Sequence, residues 1–399
     1  MKIVMLCDAY FDGLQYQENL LNKYYKKIGH EVIILASNFK DIFDYYADIY
    51  VEDNVINDEV IDGTRIIKLP FEFNILNRLR KLKNVRKILN EIRPDIIYVH
   101  DIHLNILDAV SYKKNNLNCK IIMDYHADYS NSAKNWLSLN ILHKIVRNYY
   151  MKKSKKYIDK IYYVVPASGL FLHEVYNIAY EDMSLLPLGV DYDLTNEIKN
   201  KLSKSVLRSN LQIPQDANVI FTGGKISRLK NTHLLIEALN QLDNLNYHLV
   251  IVGAFSKNEE AYEQKINNLA SQNENVHLVG WVSGEEVYEY MHACDIAAFP
   301  SSQSVLWQQS LAMSLPLILG EEYKNAVGNS FCHDVDYLNI KENIYIIRDG
   351  NLSATSLAEG INFYFKSNKL DIYKKNAEFV TEKLLDYNNI VQETLNFNS

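Results

Sequence analysis

Cysteine is scarce in this chain. Cys7, Cys119, Cys294 and Cys332 are scattered over 399 residues, and no pair has C-x-x-C or metal-ligand spacing. That pattern excludes a zinc ribbon or dithiol redox centre and implies reduced thiols in a cytosolic protein. No apolar run approaches the length a membrane span requires. "MKIVMLCD" enters a strand at once, which predicts a chain without a secretory leader. The GxxxxGK[ST] loop of ATP hydrolysis is missing, as is a convincing catalytic carboxylate pair. One stretch, "FPSSQSVLWQQSLAMSLPLI" from Phe299 to Ile318, has no acidic or basic residue. With 49 acidic against 42 basic residues the formal net charge is -7, so bulk nucleic-acid binding is not expected.

What is present is an ordinary globular composition, 48% hydrophobic and 23% charged, in a chain long enough for two cores. Short apolar strand runs alternate with longer helical ones: "KIVMLCD", "HEVIILAS", "DIIYVHD", "KIIMDYH" and "KIYYVVPA" read as strands of a parallel sheet. The pattern restarts at "NVIFTGG" and runs on through "YHLVIVG", "NVHLVGW", "DIAAFPS", "LPLILGE" and "ENIYIIRD". The restart predicts two doubly wound α/β domains, residues 1–192 and 193–375, joined by a polar, lysine-rich linker in roughly 191–214. Residues 376–399 are expected to form a helix that packs back on the first domain. Ligands of such sheets bind beyond the carboxyl ends of the strands, so the site is expected in a cleft where the two domains face each other.

Several strand-end loops carry chemistry. "FTGGKISRLKN" places Gly223 and Gly224 at a strand end, with Lys225 and Lys230 ahead of a helix beginning near Thr232. Paired glycines let backbone approach a ligand, and two lysines beside a helix start suit a diphosphate; a tight turn with solvated lysines is the plainer alternative. Gly280 and Val282 follow another strand, where backbone can hold a planar base or simply turn. Gly13 separates the first strand from its helix. His100, Asp101 and His103 follow one strand, and Asp124, His126 and Asp128 follow the next. The two histidine clusters stand on separate elements without the helical i,i+4 spacing of metal ligands, so no metal is expected.

These motifs resemble those of the retaining GT-B glycosyltransferases, in particular the large family four of sugar-nucleotide-dependent transferases. "YHAD", "LLPLGVD", "GGKISRLKN" and "NVHLVGWVSGEEVYEYMHACDIAAFPS" carry the likeness. It implies a GT-B fold of two Rossmann-like domains. It also implies that Lys225 and Lys230 hold the donor diphosphate beside Gly224, with Lys225 standing where the family usually has arginine. Gly280 and Val282 would line the base pocket. Gly13 would sit near the diphosphate, and His126 would touch the donor sugar. Tyr16, His100 and Asp101 would shape the acceptor side. No cofactor or divalent metal is implied; the nucleotide sugar, a UDP-sugar, is a substrate.

Two departures stand out. The family commonly has Glu-(x)7-Glu ahead of "AMAxGxPVI". Here the second glutamate falls on Gln309 and the first on Ser301, with residues 302 to 304 as near alternatives. The N–H groups of Ser304, Val305 and Leu306 and the Gln309 amide are expected to serve the sugar and ribose instead. Two basic stretches, "NRLRKLKNVRKILNEIR" and "HKIVRNYYMKKSKKYIDK", suggest a cytoplasmic enzyme docking on an anionic inner membrane face to reach a lipid-linked or cell-surface glycan, solvated helix faces being the alternative. The rival readings are a non-catalytic GT-B partner subunit, favoured by the missing glutamates, and a GT-B sugar-nucleotide epimerase, which calls for more carboxylates.

Overall fold

A computed structural model describes residues 1–46, 49–50, 55–133, 135–243, 246–256, 259–301, 304–320, 322–324, 330–332 and 335–397. The chain forms two units, Met1–Leu188 with Tyr387–Ser399, and Gly189–Asp386.

The first unit is built on β1 (Lys2–Leu6), β2 (Glu31–Ser37), β3 (Asn57–Ile61), β4 (Thr64–Leu69), a separate hairpin of β5 (Phe71–Ile75) and β6 (Leu79–Leu82), then β7 (Ile96–His100), β8 (Lys120–Asp124), β9 (Lys160–Tyr163) and β10 (Ser184–Leu185). Its main sheet runs β10-β9-β8-β7-β1-β2-β4-β3. All pairs are parallel except β3 on β4. The central strands read as unbroken apolar runs because both faces are covered. On one face, Tyr24 and Tyr25 from the helix Gln17–Lys27 meet Tyr387, Ile390 and Val391 from the last helix, Tyr387–Leu395. The buried Tyr25 hydroxyl needs a partner and finds it in Thr394 at 2.6 Å.

The second unit has β11 (Asn218–Gly223), β12 (Tyr247–Val252), β13 (Val276–Gly280), β14 (Ile296–Phe299), β15 (Leu317–Gly320), a short pair β16 (Glu322–Lys324) and β17 (Ser330–Cys332), and β18 (Ile344–Ile347). Its parallel sheet is ordered β13-β12-β11-β14-β15-β18. Asp295, ahead of β14, gathers Lys204, Arg208 and Lys374 within 3.0 Å. Burial opposes its charge, but those three cations hold the carboxyl down at about 2.

The structure differs from the sequence expectation in three places. The division falls at Gly189, and residues 376–386 stay with the second unit, because Ala377, Val380 and Leu385 are buried in its core. The β3–β4 edge and the β5–β6 hairpin were not expected; their strands carry charged residues on exposed positions and lack a long apolar run. The basic run from Asn77 is not one amphipathic helix. It is β6 followed by the helix Val85–Ile92, whose apolar face (Val85, Ile88, Leu89, Ile92) is already buried.

Candidate active site

Strand order reverses at β1 and β7 in the first unit, the place where an open parallel sheet leaves a crevice. Parallel pairing of β7 with β8 sets His100 opposite Asp124. The two histidine clusters, distant in sequence, therefore meet. The side-chain ligand atoms of His100, Asp124 and His126 lie within 4.8 Å of one another. Separate elements are thus no argument against a shared centre, since adjacent parallel strands bring their ends together. Asp124 is fully buried and already engaged. The Tyr98 hydroxyl donates to it at 2.9 Å, His100 Nδ1 lies at 3.1 Å, and His126 Nε2 at 3.4 Å. The two imidazole rings stand 4.4 Å apart.

The electrostatics follow from that geometry. Burial opposes a charge on His100, but Asp124, with Glu18 and Asp101, overrides it and lifts the imidazole to about 10. Burial likewise opposes ionisation of Asp124, and His100 and His126 hold its carboxyl well below the usual range. The geometry favours an imidazolium on half-buried His100 beside the fully buried Asp124 carboxylate. Asp101 adopts a left-handed backbone (φ 58°), a conformation non-glycine residues occupy at some cost. Two bonds fix it there. Its N–H donates to the Asp124 carbonyl at 3.1 Å, and its carboxylate accepts the His126 N–H at 2.9 Å. His100, Asp101, His126 and Tyr16 all line one cavity of about 810 Å³. Gly13 does not line it; it sits in the turn ahead of the helix Gln17–Lys27 with φ 74°.

In the second unit the strand-end glycines are steric necessities. The Gly224 N–H donates to the Val252 carbonyl at 2.8 Å. A Cβ on Gly253 would fall 1.8 Å from the Gly224 carbonyl oxygen, and Gly253 has φ 148°. Sequence reasoning missed Gly253; its signal was the "VG" that ends β12. The loop then runs past exposed Lys225 to a turn at Arg228–Lys230, and Asn231 (φ 53°) leads into the helix Thr232–Leu239. Burial pulls the Lys230 ammonium down to about 8. A desolvated cation of this kind gains from an incoming anion.

The uncharged stretch supports that turn. The Ser301 hydroxyl donates to the Leu229 carbonyl and accepts from the Asn231 amide at 3.2 Å. Ser301 is therefore occupied in holding the Lys230 turn. Ser302 and Gln303 lie outside the described residues. The expectation of three open N–H groups needs correction at Leu306, whose N–H already meets the Ser304 hydroxyl at 3.3 Å. Val305 is part-exposed, and Gln309 is buried beside the Tyr288 hydroxyl. Gly280 ends β13 with φ 87° and its carbonyl accepts the Gly253 N–H. Val282 packs against the second unit's core.

Two family models match separate parts of the chain. Residues 19–194 match the model described as Glycosyltransferase Family 4, and residues 203–316 match Glycosyl transferases group 1. Each model matches less than half of the chain, and the fold they point to is GT-B. Among curated proteins the chain is similar to the lipopolysaccharide 1,2-N-acetylglucosaminetransferase of Salmonella typhimurium. The two are 27% identical over 245 residues, 60% of this chain and 55% of the relative. It thus spans about half the length of that relative. A D-inositol 3-phosphate glycosyltransferase of Stackebrandtia nassauensis is 29% identical over 139 residues, 33% of this chain and 30% of that protein. Anabaena HepE, solved in complex with UDP, shares the fold at TM-score 0.68 and 16% identity, covering 99% of this chain and 98% of that one. A glycosyltransferase from Rickettsia africae gives TM-score 0.68 at 15% identity, covering 99% and 96%.

Proposed function

We propose that the chain transfers a hexose from a UDP-sugar to a glycan or lipid-linked glycan, with retention of configuration. The observation that carries this reading is the half-buried Lys230 on the turn that follows the Gly223-Gly224 strand end, where an anion would offset the desolvation of its ammonium. In this reading Lys230 and Lys225 hold the donor diphosphate. They stabilise the negative charge that develops as the bond from the sugar's C1 to the phosphate oxygen breaks. The acceptor oxygen bonds to C1, and its proton goes to the leaving phosphate on the same face. Asp124 orients His100 and His126 at the first unit's cavity, His126 being assigned to the transferred sugar. The similarity to proteins that bind UDP or act on lipopolysaccharide supports the donor and acceptor classes. No step in this scheme calls on a metal or cofactor.

The replacement of two glutamates by Ser301 and Gln309 favours one competing reading, a partner subunit that does not turn over donor. Exchanging a charged for a neutral hydrogen bond to ribose costs on the order of 1 kcal/mol, which weakens donor binding without abolishing it. Thermal shift with UDP, GDP and ADP separates the readings. The transferase gains about 2.7 kcal/mol at a hundredfold excess over Kd for one of them. A subunit that binds no nucleotide gains nothing from any.

The membrane part of the proposal now rests on one segment. No helix among the described residues is long and apolar enough to cross a membrane. Residues 136–154 are continuously helical, and Leu137, Ile141, Ile145 and Tyr149 recur every fourth residue on an exposed face beside Trp136. Trp136 is 68% exposed and Ile145 59%. Exposed Lys144, Lys152 and Lys153 flank them. An apolar stripe with a basic border fits the interface of an anionic bilayer, each lysine adding about 1 kcal/mol near the surface. Wild-type protein is expected to cosediment with phosphatidylglycerol vesicles at low salt, and Ile141→Glu with Ile145→Glu to remain in the supernatant. Equal pelleting of the two, or none by wild type, counts against the proposal.

A further inference from the structure

The first unit's cavity is lined by three arginines and three carboxylates. Arg78, Arg80 and Arg147 line it along with Asp8, Glu18 and Asp101. Those acids have assigned partners. Asp8 meets Arg80 at 2.8 Å, with the guanidinium laid over Phe39. Glu18 faces His100 at 4.0 Å. Asp101 is tied to the His126 N–H. Arg147, at the end of the helical stretch Ser138–Arg147, is different. Its guanidinium lies near the Tyr176 hydroxyl, which already meets His143 Nδ1 at 2.6 Å. Among the described residues no carboxylate forms an ion pair with it.

A third donor belongs to the same cavity. His103 is 7% exposed, and its Nδ1 accepts the Asn105 N–H at 3.2 Å, which leaves the proton on Nε2. That buried Nε2–H has no hydrogen-bond partner. A buried donor without an acceptor is costly, and an anion in the cavity would satisfy it.

We propose that the acceptor carries an anionic group, a phosphate or a carboxylate, bound in this cavity by Arg147, Arg78 and the His103 Nε2–H. This rests on the transferase reading and adds the acceptor's chemical class to it. Two guanidiniums and a neutral N–H suit either oxyanion through charge-assisted bonds.

Calorimetric titration of the full chain with mannose 6-phosphate, glucuronate and methyl α-glucoside tests it. At least one charged sugar is expected to bind tenfold or more tightly than methyl glucoside, about the minimum worth of a fully used charge pair, and to weaken with added salt. Arg147→Gln should remove that preference. Arg78→Gln, at an exposed position, should reduce it and keeps the test available if the Arg147 variant does not fold. A preference for the phosphate alone or the carboxylate alone identifies the anion. Equal binding of all three sugars, or charged-sugar affinity unchanged in both variants, overturns the inference. UDP titrated in parallel reports on the donor side: UDP bound without charged-sugar preference sinks this inference alone. Charged-sugar preference without nucleotide binding sinks the donor reading alone.

Discussion

Lys230→Ala is expected to lower donor turnover about a hundredfold or more, the usual loss when one preorganised stabiliser of a leaving oxyanion is removed. The fold should survive. Burial already disfavours this ammonium, so truncating it removes a desolvated charge from the native state. Equal or higher thermal stability alongside lost turnover is the expected pattern. The same residue sets a pH dependence. In the free protein it titrates at about 8, and a bound diphosphate raises that value. Below pH 8 the charge is present before binding. Above it, binding must take up a proton, and affinity for UDP should fall by about tenfold per pH unit until the bound-state value is reached. Affinity independent of pH from 7 to 9.5, or full activity in the alanine variant, would remove Lys230 from the diphosphate site.

Asp124→Asn should have the second-largest effect. The carboxylate anchors Tyr98, His100 and His126 together, so its loss frees both imidazoles at the cavity wall. Breaking a buried ion pair by removing one partner costs about 3–5 kcal/mol. The sign of the pH dependence is fixed by His100. Its folded value, about 10, lies above its unfolded value, so its contribution is complete below about pH 6.5 and fades as pH rises toward 10. Asp124 is depressed on folding, so its contribution is present at neutral pH and lost only in acid. Urea unfolding at pH 6, 8 and 10 should show the gap between wild type and Asp124→Asn narrowing as pH rises. A gap constant across that range would mean that His100 is not held as imidazolium. Turnover should fall with kcat affected more than the KM for donor, because Asp124 positions groups of the first unit and not the diphosphate site.

The parts of this molecule that could be read from sequence are those where one face of the physics dominates. Strands buried on both sides, such as Lys2–Leu6 and Tyr247–Val252, are unbroken apolar runs with no competing explanation. "GGKISRLKN" and the following helix were legible because glycine, lysine and a helix start each speak locally. The His100–Asp124–His126 centre was not legible, since its members are 24 and 2 residues apart and only the register of β7 against β8 joins them. Asp124 looked like a strand-end residue; its role comes from Tyr98, His100 and His126 converging on it. Arg147 was hidden in a run of basic residues, and only its place on the cavity wall sets it apart from its solvated neighbours. Gln309 and Ser301 were readable as departures, but not Ser301's task of pinning the Lys230 turn, which depends on a hydroxyl reaching a carbonyl 72 residues away in sequence.

The central claim is that a sugar nucleotide is consumed on the Lys225–Lys230 turn. It is tested most directly by release of nucleoside diphosphate from UDP-, GDP- and ADP-sugars by the purified full chain, with charged and neutral sugar acceptors. The account predicts UDP release from one UDP-sugar, faster with an acceptor bearing phosphate or carboxylate, and lost in Lys230→Ala. Folded protein that releases none of the three diphosphates with any acceptor would contradict it.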